Sequence, residues 1–269
     1  MSAMPHILFL HGFLSGARAW DAVRAELAGE AETWAADLPA YGRARHLAVS
    51  GSLDETVEAL VPLVRCSGIT HVVGHSMGAI VALALAHRLP GAIRGAGVVG
   101  LPVFASGDDC ATWLQRSDPF RARLLRRAGL AHAACSVAGR TFPAWRPVAA
   151  LVARRHPVGH GVDIFDHASC GHGPALASIV LSGQVPSLAT AVRVPVAAIH
   201  GEADRTAPPG PARAIATEAG WPLHVVPRGG HQLPVTHPRA VARWVRDQVV
   251  AAGVDAVLAT APQSGHAHH

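Results

Sequence analysis

The sequence predicts an α/β fold, with a mostly parallel central sheet flanked by helices and a helical lid insertion. Three observations predict it. Short apolar runs alternate with helix-like stretches at both ends of the chain, the pattern of a parallel sheet with crossover helices. One run, Ile69 to Val73, leads through Gly74-His75-Ser76-Met77-Gly78 into the apolar stretch Ala79 to Ala86. Ser76, Asp204 and His231 each stand just after an expected strand, in that chain order.

Taken in order, His6 to Leu10 reads as a fully buried strand that runs into His11-Gly12-Phe13. Ala22 to Ala28 suits a helix and Thr33 to Ala36 a short strand. Asp37 to Arg43 is turn-rich. Leu53 to Val64 is amphipathic, with Ser52 as its cap and Asp54 and Glu55 in the first turn. After the Gly74–Gly78 turn, Gly95 to Gly100 is another buried strand. Alternation lapses from Val103 to Leu188, where arginines, aromatics and helical stretches replace it. It resumes with a strand from Val194 to Ile199, a helix from Pro211 to Ala219, a strand from Leu223 to Pro227 and a closing helix from Pro238 to Val250. The expected division is therefore a core of residues 1–102 and 189–251, a lid of 103–188 and a fraying tail of 252–269.

Composition narrows the chemistry. At 269 residues, half of them hydrophobic, the chain suits one large domain with an insertion. The net charge is +5 and every basic side chain is arginine, so lysine Schiff-base chemistry, and with it ordinary pyridoxal phosphate chemistry, is excluded. The arginines are mostly scattered rather than interleaved with aromatics, which argues against nucleic-acid binding. Cys66, Cys110, Cys135 and Cys170 lack C-x-x-C spacing, and neither a disulfide framework nor a cysteine metal site is expected. His156, His160, His167 and His172 come without a carboxylate pattern, and Pro157 and Gly159 interrupt the first pair, so no metal and no cofactor are expected. No run is long and apolar enough to span a membrane, the start lacks the marks of a signal peptide, and a cytoplasmic location is the default expectation.

The glycine-flanked serine explains its own residue types. A strand-to-helix turn this tight holds its central residue in a strained conformation, and side chains two positions either side would collide. Ser76 is thereby held clear of the sheet as a nucleophile, beside the positive end of the next helix. An oxyanion hole needs two converging N–H groups. Met77, after the nucleophile, is one candidate and Phe13 in the early loop is the other. His11 could be read as catalytic or as a brace for that loop, and the brace is preferred. His231 is the expected base and Asp204 its acid, with Asp108 or Asp109 as the rival acid after the Gly95–Gly100 strand.

These pieces resemble the α/β-hydrolase family from His6 to about Val250: His11-Gly12-Phe13, Asp37 to Arg43, the turn at Ser76, His200-Gly201-Glu202-Ala203-Asp204, and Gly229-Gly230-His231. Ala40-Tyr41-Gly42 departs from the family's frequent Gly-His-Gly, a structural motif. The resemblance implies esterases, thioesterases, lactonases, carbon–carbon hydrolases or perhydrolases. The early loop with Trp20, and Val226 to His231, also look like the menaquinone-pathway lyase subgroup. A serine nucleophile argues against dehalogenase and epoxide hydrolase chemistry, which use aspartate there. The expected activity is hydrolysis of a small-molecule carboxylic ester or thioester. The alternatives are a carbon–carbon hydrolase or lyase on the same residues, or a slow-turnover binding protein. Candidate substrate contacts are His11, Trp20, Trp113, Phe120, Phe142, Trp145 and Phe165. Arg116 to Arg127 form either a solvated face or a rim for an anionic substrate.

Overall fold

The computed structural model describes residues 4–47, 51–117 and 175–253. Among them, six parallel strands form one sheet: β1 (His6–Leu10), β2 (Glu32–Ala36), β3 (His71–His75), β4 (Gly95–Val99), β5 (Val196–Gly201) and β6 (Leu223–Val226). Their spatial order is β2-β1-β3-β4-β5-β6. The chain thus moves outward from β1 to β2, returns to β1's other side with β3, and continues away. The crevice above β1 and β3, where the direction of travel reverses, is where open α/β sheets bind ligands.

Strand register gives the sheet two different faces, because side chains alternate with period two. One row across the sheet is Ala35, Phe9, Val73, Gly97 and Ala197. It faces a core built with Trp20, Val23, Leu27, Val241, Trp244 and Val249. The neighbouring row, with Leu10, Val98 and Ala198, faces the larger core on the other side. Strands buried on both faces read as continuous apolar runs, which is why they are visible in the sequence.

The helices cover these faces. A 3-10 turn (Ala17–Trp20) and α1 (Asp21–Glu26) follow β1. Helix α2 (Leu53–Cys66) buries Leu53, Val57, Leu60, Val61 and Val64, a stripe at helical spacing. Its Ser52 cap accepts a hydrogen bond from the Glu55 amide at 3.2 Å. Helix α3 (Met77–Arg88) is buried from Met77 to Ala86 and is apolar all round, as suits a helix sandwiched between the sheet and α2. Helix α4 (Gly107–Ser117) leaves the end of β4. Then come α5 (Val185–Ala191), α6 (Pro209–Glu218), the short α7 (Leu233–Thr236) and α8 (Pro238–Trp244), which continues as a π-helical turn, Val245–Val250.

Most element ends fall within two residues of expectation, and two of the differences bear on the site and the lid. Strand β3 runs to His75, two residues beyond the apolar run, because its ladder to β4 continues as far as the pair His75–Val99. A glycine and a histidine hide that continuation in the sequence. The expected lid boundary at 188 falls inside α5, whose Val185 and Ala189 pack into the main core. Most of the expected lid, including Arg121 to Arg127, lies outside the described residues. No helix among the described residues is long and apolar enough to cross a membrane.

Candidate active site

Three loops at the carboxyl ends of β3, β5 and β6 converge on one hydrogen-bonded chain. Ser76 caps the N-terminus of α3 with φ 54° and ψ −119°, a left-handed conformation that costs a non-glycine residue about 1–3 kcal/mol. The flanking glycines make it possible. A Cβ on Gly74 would overlap the Gly78 carbonyl, and one on Gly78 would overlap the Leu10 and His11 carbonyls of the neighbouring strand end. The turn therefore sits tightly between α3 and β1, and Ser76 is pushed out toward the crevice.

His231 follows β6 and reaches Ser76 with its Nε2 3.0 Å from Oγ. Its Nδ1 lies 2.7 Å from Asp204 Oδ2. An ionised carboxylate only accepts, so Nδ1 carries the proton and Nε2 presents a lone pair to the serine hydroxyl. Asp204 follows β5, and its side chain is fully buried. Its other oxygen accepts from the Thr206 and Ala207 amides at 2.8 and 2.9 Å. Burial alone would raise this carboxyl. Hydrogen bonds from His200 and His231, the attraction of His231 when it is protonated and the Ala207 amide outweigh burial and hold it below the usual carboxylate range. The rival acids lie elsewhere: Asp108 and Asp109 are exposed, and Asp109 accepts from the Ala105 amide at the start of α4.

The other expected residues fall into three groups. Phe13 is half-buried in the loop after β1, and Met77 is the first residue of α3. That loop passes directly over the serine, since a Cβ on Gly12 would lie 3.1 Å from Ser76 Cβ. His11, read as a loop brace and a candidate substrate contact, and Trp20, a candidate contact, are both buried. His11 Nδ1 donates to the Gly12 carbonyl at 2.8 Å, and its Nε2 accepts from the Leu38 amide at 3.0 Å. With both nitrogens taken by backbone, it ties the β1 loop to the β2 loop. Burial lowers its pKa, against opposing effects of Gly12 and Asp37. Trp20 is fully buried against Phe9, with ring centroids 4.7 Å apart. Its size and lack of charge make the core the better place for it. Trp113 is half-buried on α4 at the edge of the main core. Phe120, Phe142, Trp145 and Phe165, and the four lid histidines, lie outside the described residues. Among the described residues, no group of three or more histidine, cysteine or acidic side chains could hold a metal ion. Cys66 and Cys110 are free thiols.

Two histidines at the site were not singled out from sequence. His200, on β5, brings Nε2 to 3.3 Å from both Asp204 Oδ2 and the Ala207 carbonyl. His75, on β3, brings Nε2 to 2.8 Å from the His231 carbonyl. A signal existed for each. His200 stands four residues before the acid, and His75 immediately before the serine. A cavity of about 420 Å³ elsewhere, lined by Arg18, Arg24, Asp37, Arg43 and His46 among others, includes none of Ser76, Asp204 or His231. The hydrogen-bonded chain of Ser76, His231 and Asp204 therefore lies outside that cavity.

A family model described as the alpha/beta hydrolase family matches residues 7–244. The chain belongs to the alpha/beta hydrolase family. Among curated proteins, it is 28% identical over 246 residues to the 2-succinyl-6-hydroxy-2,4-cyclohexadiene-1-carboxylate synthase of Enterobacter sp. (strain 638). That match covers 88% of this chain and 89% of the synthase. Among solved structures, a hydrolase from Pseudomonas aeruginosa PA01 superposes with a TM-score of 0.67 at 20% identity, over 91% of this chain and 89% of that one. The thioesterase domain from the curacin biosynthetic pathway gives 0.64 at 20% identity, over 91% and 92%. These structural likenesses concern the fold.

Proposed function

We propose that this alpha/beta hydrolase cleaves a carboxylic ester or thioester through an acyl-enzyme on Ser76. The observation that carries the reading is the unbroken chain from Ser76 Oγ through His231 to Asp204, at 3.0 and 2.7 Å. His231 Nε2 takes the hydroxyl proton as Oγ bonds to the carbonyl carbon, and the carbonyl electron pair moves onto its oxygen. The Phe13 and Met77 N–H groups hold that oxyanion. Collapse expels the alcohol or thiol, which leaves with the proton from His231. Water then gives a proton to Nε2 and attacks the acyl carbon. Oγ departs and regains the proton, releasing the acid. Asp204 keeps His231 in the required tautomer throughout.

A second reading has one specific support, the likeness to the synthase over most of both chains. In a lyase or carbon–carbon hydrolase, His231 would act chiefly as a proton-transfer base. One panel separates the readings: p-nitrophenyl esters of rising chain length, run beside vinylogous diketones, with fluorophosphonate labelling as a direct probe of Ser76. Turnover of esters is expected, and Ser76→Ala should lower it by about 10³-fold or more and remove the label. Activity on the diketones alone would favour the second reading. Labelling without turnover on either would favour a binding protein. A label that survives Ser76→Ala would refute the nucleophile assignment.

A further inference from the structure

We propose that His75, between Gly74 and Ser76, is a positioning residue that clamps the main chain of His231 by donating its Nε2–H to the His231 carbonyl. The inference rests on the reading of His231 as the base for Ser76, and it concerns what holds that base in place.

His231 sits on a bend rather than on an element. The loop after β6 turns at Arg228, with φ 56°, and runs through two glycines before reaching it. Its upstream tethers are the Arg228 amide on Glu202 at 3.0 Å and the Gly229 carbonyl on the Ala203 amide at 2.8 Å. Beyond them, the carbonyl of His231 itself is taken by His75 at 2.8 Å. The two rings stand 4.8 Å apart, tilted by 49°. His75 is rigidly placed for the task. It is the last residue of β3, is 1% exposed, and shares the turn that sets Ser76. The nucleophile and the carbonyl grip on the base are thus adjacent residues of one strand, which fixes their spacing.

The protonation state agrees. A carbonyl only accepts, so Nε2 must carry the hydrogen, and Nδ1 is left as a bare lone pair. Nδ1 is buried without a partner beside Gly12, where a Cβ would lie 3.0 Å from it. A buried polar atom without a partner is costly, and an apolar ring would fill the same space without that cost. Packing alone therefore does not account for a histidine here. The ionisable groups facing the ring are His231, Asp204 and His11. Burial first, then repulsion from His231 and His11 when they are protonated, pushes the His75 pKa down to about 3, against the His231 carbonyl and Asp204. A neutral neighbour adds no repulsion when His231 takes up the serine proton.

Two measurements on the full chain test this. In nitrogen-15 histidine spectra of the wild type, His75 should be the neutral Nε2–H tautomer from about pH 5 to 9, across the usual imidazole range. The Nδ1–H tautomer or an imidazolium in that range would overturn the proposal. In variants, the readouts are the rate of fluorophosphonate labelling of Ser76 and the low-field proton signal of the His231–Asp204 bond. His75→Phe should slow labelling by about 10²-fold, the cost of a misplaced catalytic group, and should shift or broaden the low-field signal. His75→Gln, which restores a donor at similar reach, should recover most of both. Unchanged labelling and an unchanged low-field signal in His75→Phe would overturn the clamp. Silence on every ester while labelling still depends on His75 would count against the ester reading alone. If wild-type Ser76 takes no label, the serine reading fails, and the tautomer and low-field signal still decide the role of His75.

Discussion

Asp204 shows what a single residue contributes at this site. Its carboxylate collects donors from two amides and two imidazoles while fully buried. Its pKa is held below the ordinary range, so it is ionised throughout the range around neutrality. Asp204→Asn keeps the shape but replaces an acceptor oxygen with an N–H₂. That group donates toward His231 Nδ1, drives the proton to Nε2 and removes the lone pair that faces Ser76. The expected loss in kcat on an ester substrate is about 10⁴-fold, with a lower Tm as well, since an N–H₂ cannot accept from the donors that the buried carboxylate oxygen satisfies. Near-full activity in this variant would displace Asp204 from the mechanism. The strand-end placement of Ser76, Asp204 and His231 was legible, because strand ends and chain order are sequence properties. His75 and His200 were not, because their importance lies in where a ring nitrogen points. A motif that writes their positions as variable carries no such information, and His75 looks like the end of a strand.

At the scale of elements, the fit between the serine turn, β1 and α3 should be the least forgiving feature. Gly78→Ala would drive a methyl into the Leu10 and His11 carbonyls. Backbone cannot yield as a flexible side chain can, so α3 and β1 must separate. Overpacking of this kind costs about 1–3 kcal/mol, a drop of several degrees in Tm for a domain of this size. Labelling of Ser76 should fall by more than the stability loss implies, since the same shift moves the proposed nucleophile. Gly91→Ala, where a Cβ meets nothing within 4 Å, is the control and should leave both unchanged. An unchanged Tm in Gly78→Ala would show that the turn has room that the geometry denies. The inner strands β1, β3, β4 and β5 were the most legible elements, because burial on both faces gives each an apolar run, whereas the edge strands β2 and β6 are partly exposed. Their ends were less so: His75 closes β3 for reasons of ladder pairing, and α5 bridges a boundary drawn from composition alone.

At the scale of the whole molecule, both ends of β3 hold a buried histidine, and the pair should make the fold sensitive to acid. His75 lies at the carboxyl end. His71 lies at the other, 3% exposed, with Nδ1 on the Thr70 hydroxyl at 2.9 Å and Nε2 buried without a partner. Burial first, then the charge of Arg94, lowers the His71 pKa to about 4, and that of His75 is about 3. In the unfolded chain each returns to about 6.5. Between the folded and unfolded values the unfolded state binds more protons, so stability rises with pH. The contribution is complete above about pH 6.5 and is lost as pH falls toward 4 and 3. Asp204, also depressed, contributes stability above its unfolded value of about 3.9 and loses it only below that. The histidine and carboxylate windows are therefore largely separate. The urea midpoint should fall markedly between about pH 7.5 and 5, by the equivalent of a few kcal/mol. His71→Phe removes one titrating group at the end of the strand remote from Ser76. It should flatten that fall while leaving ester turnover near the wild-type level. An equal urea midpoint at the two pH values would mean that the buried histidines take up protons without opening the fold, and that β3 is less tightly sealed than its packing indicates.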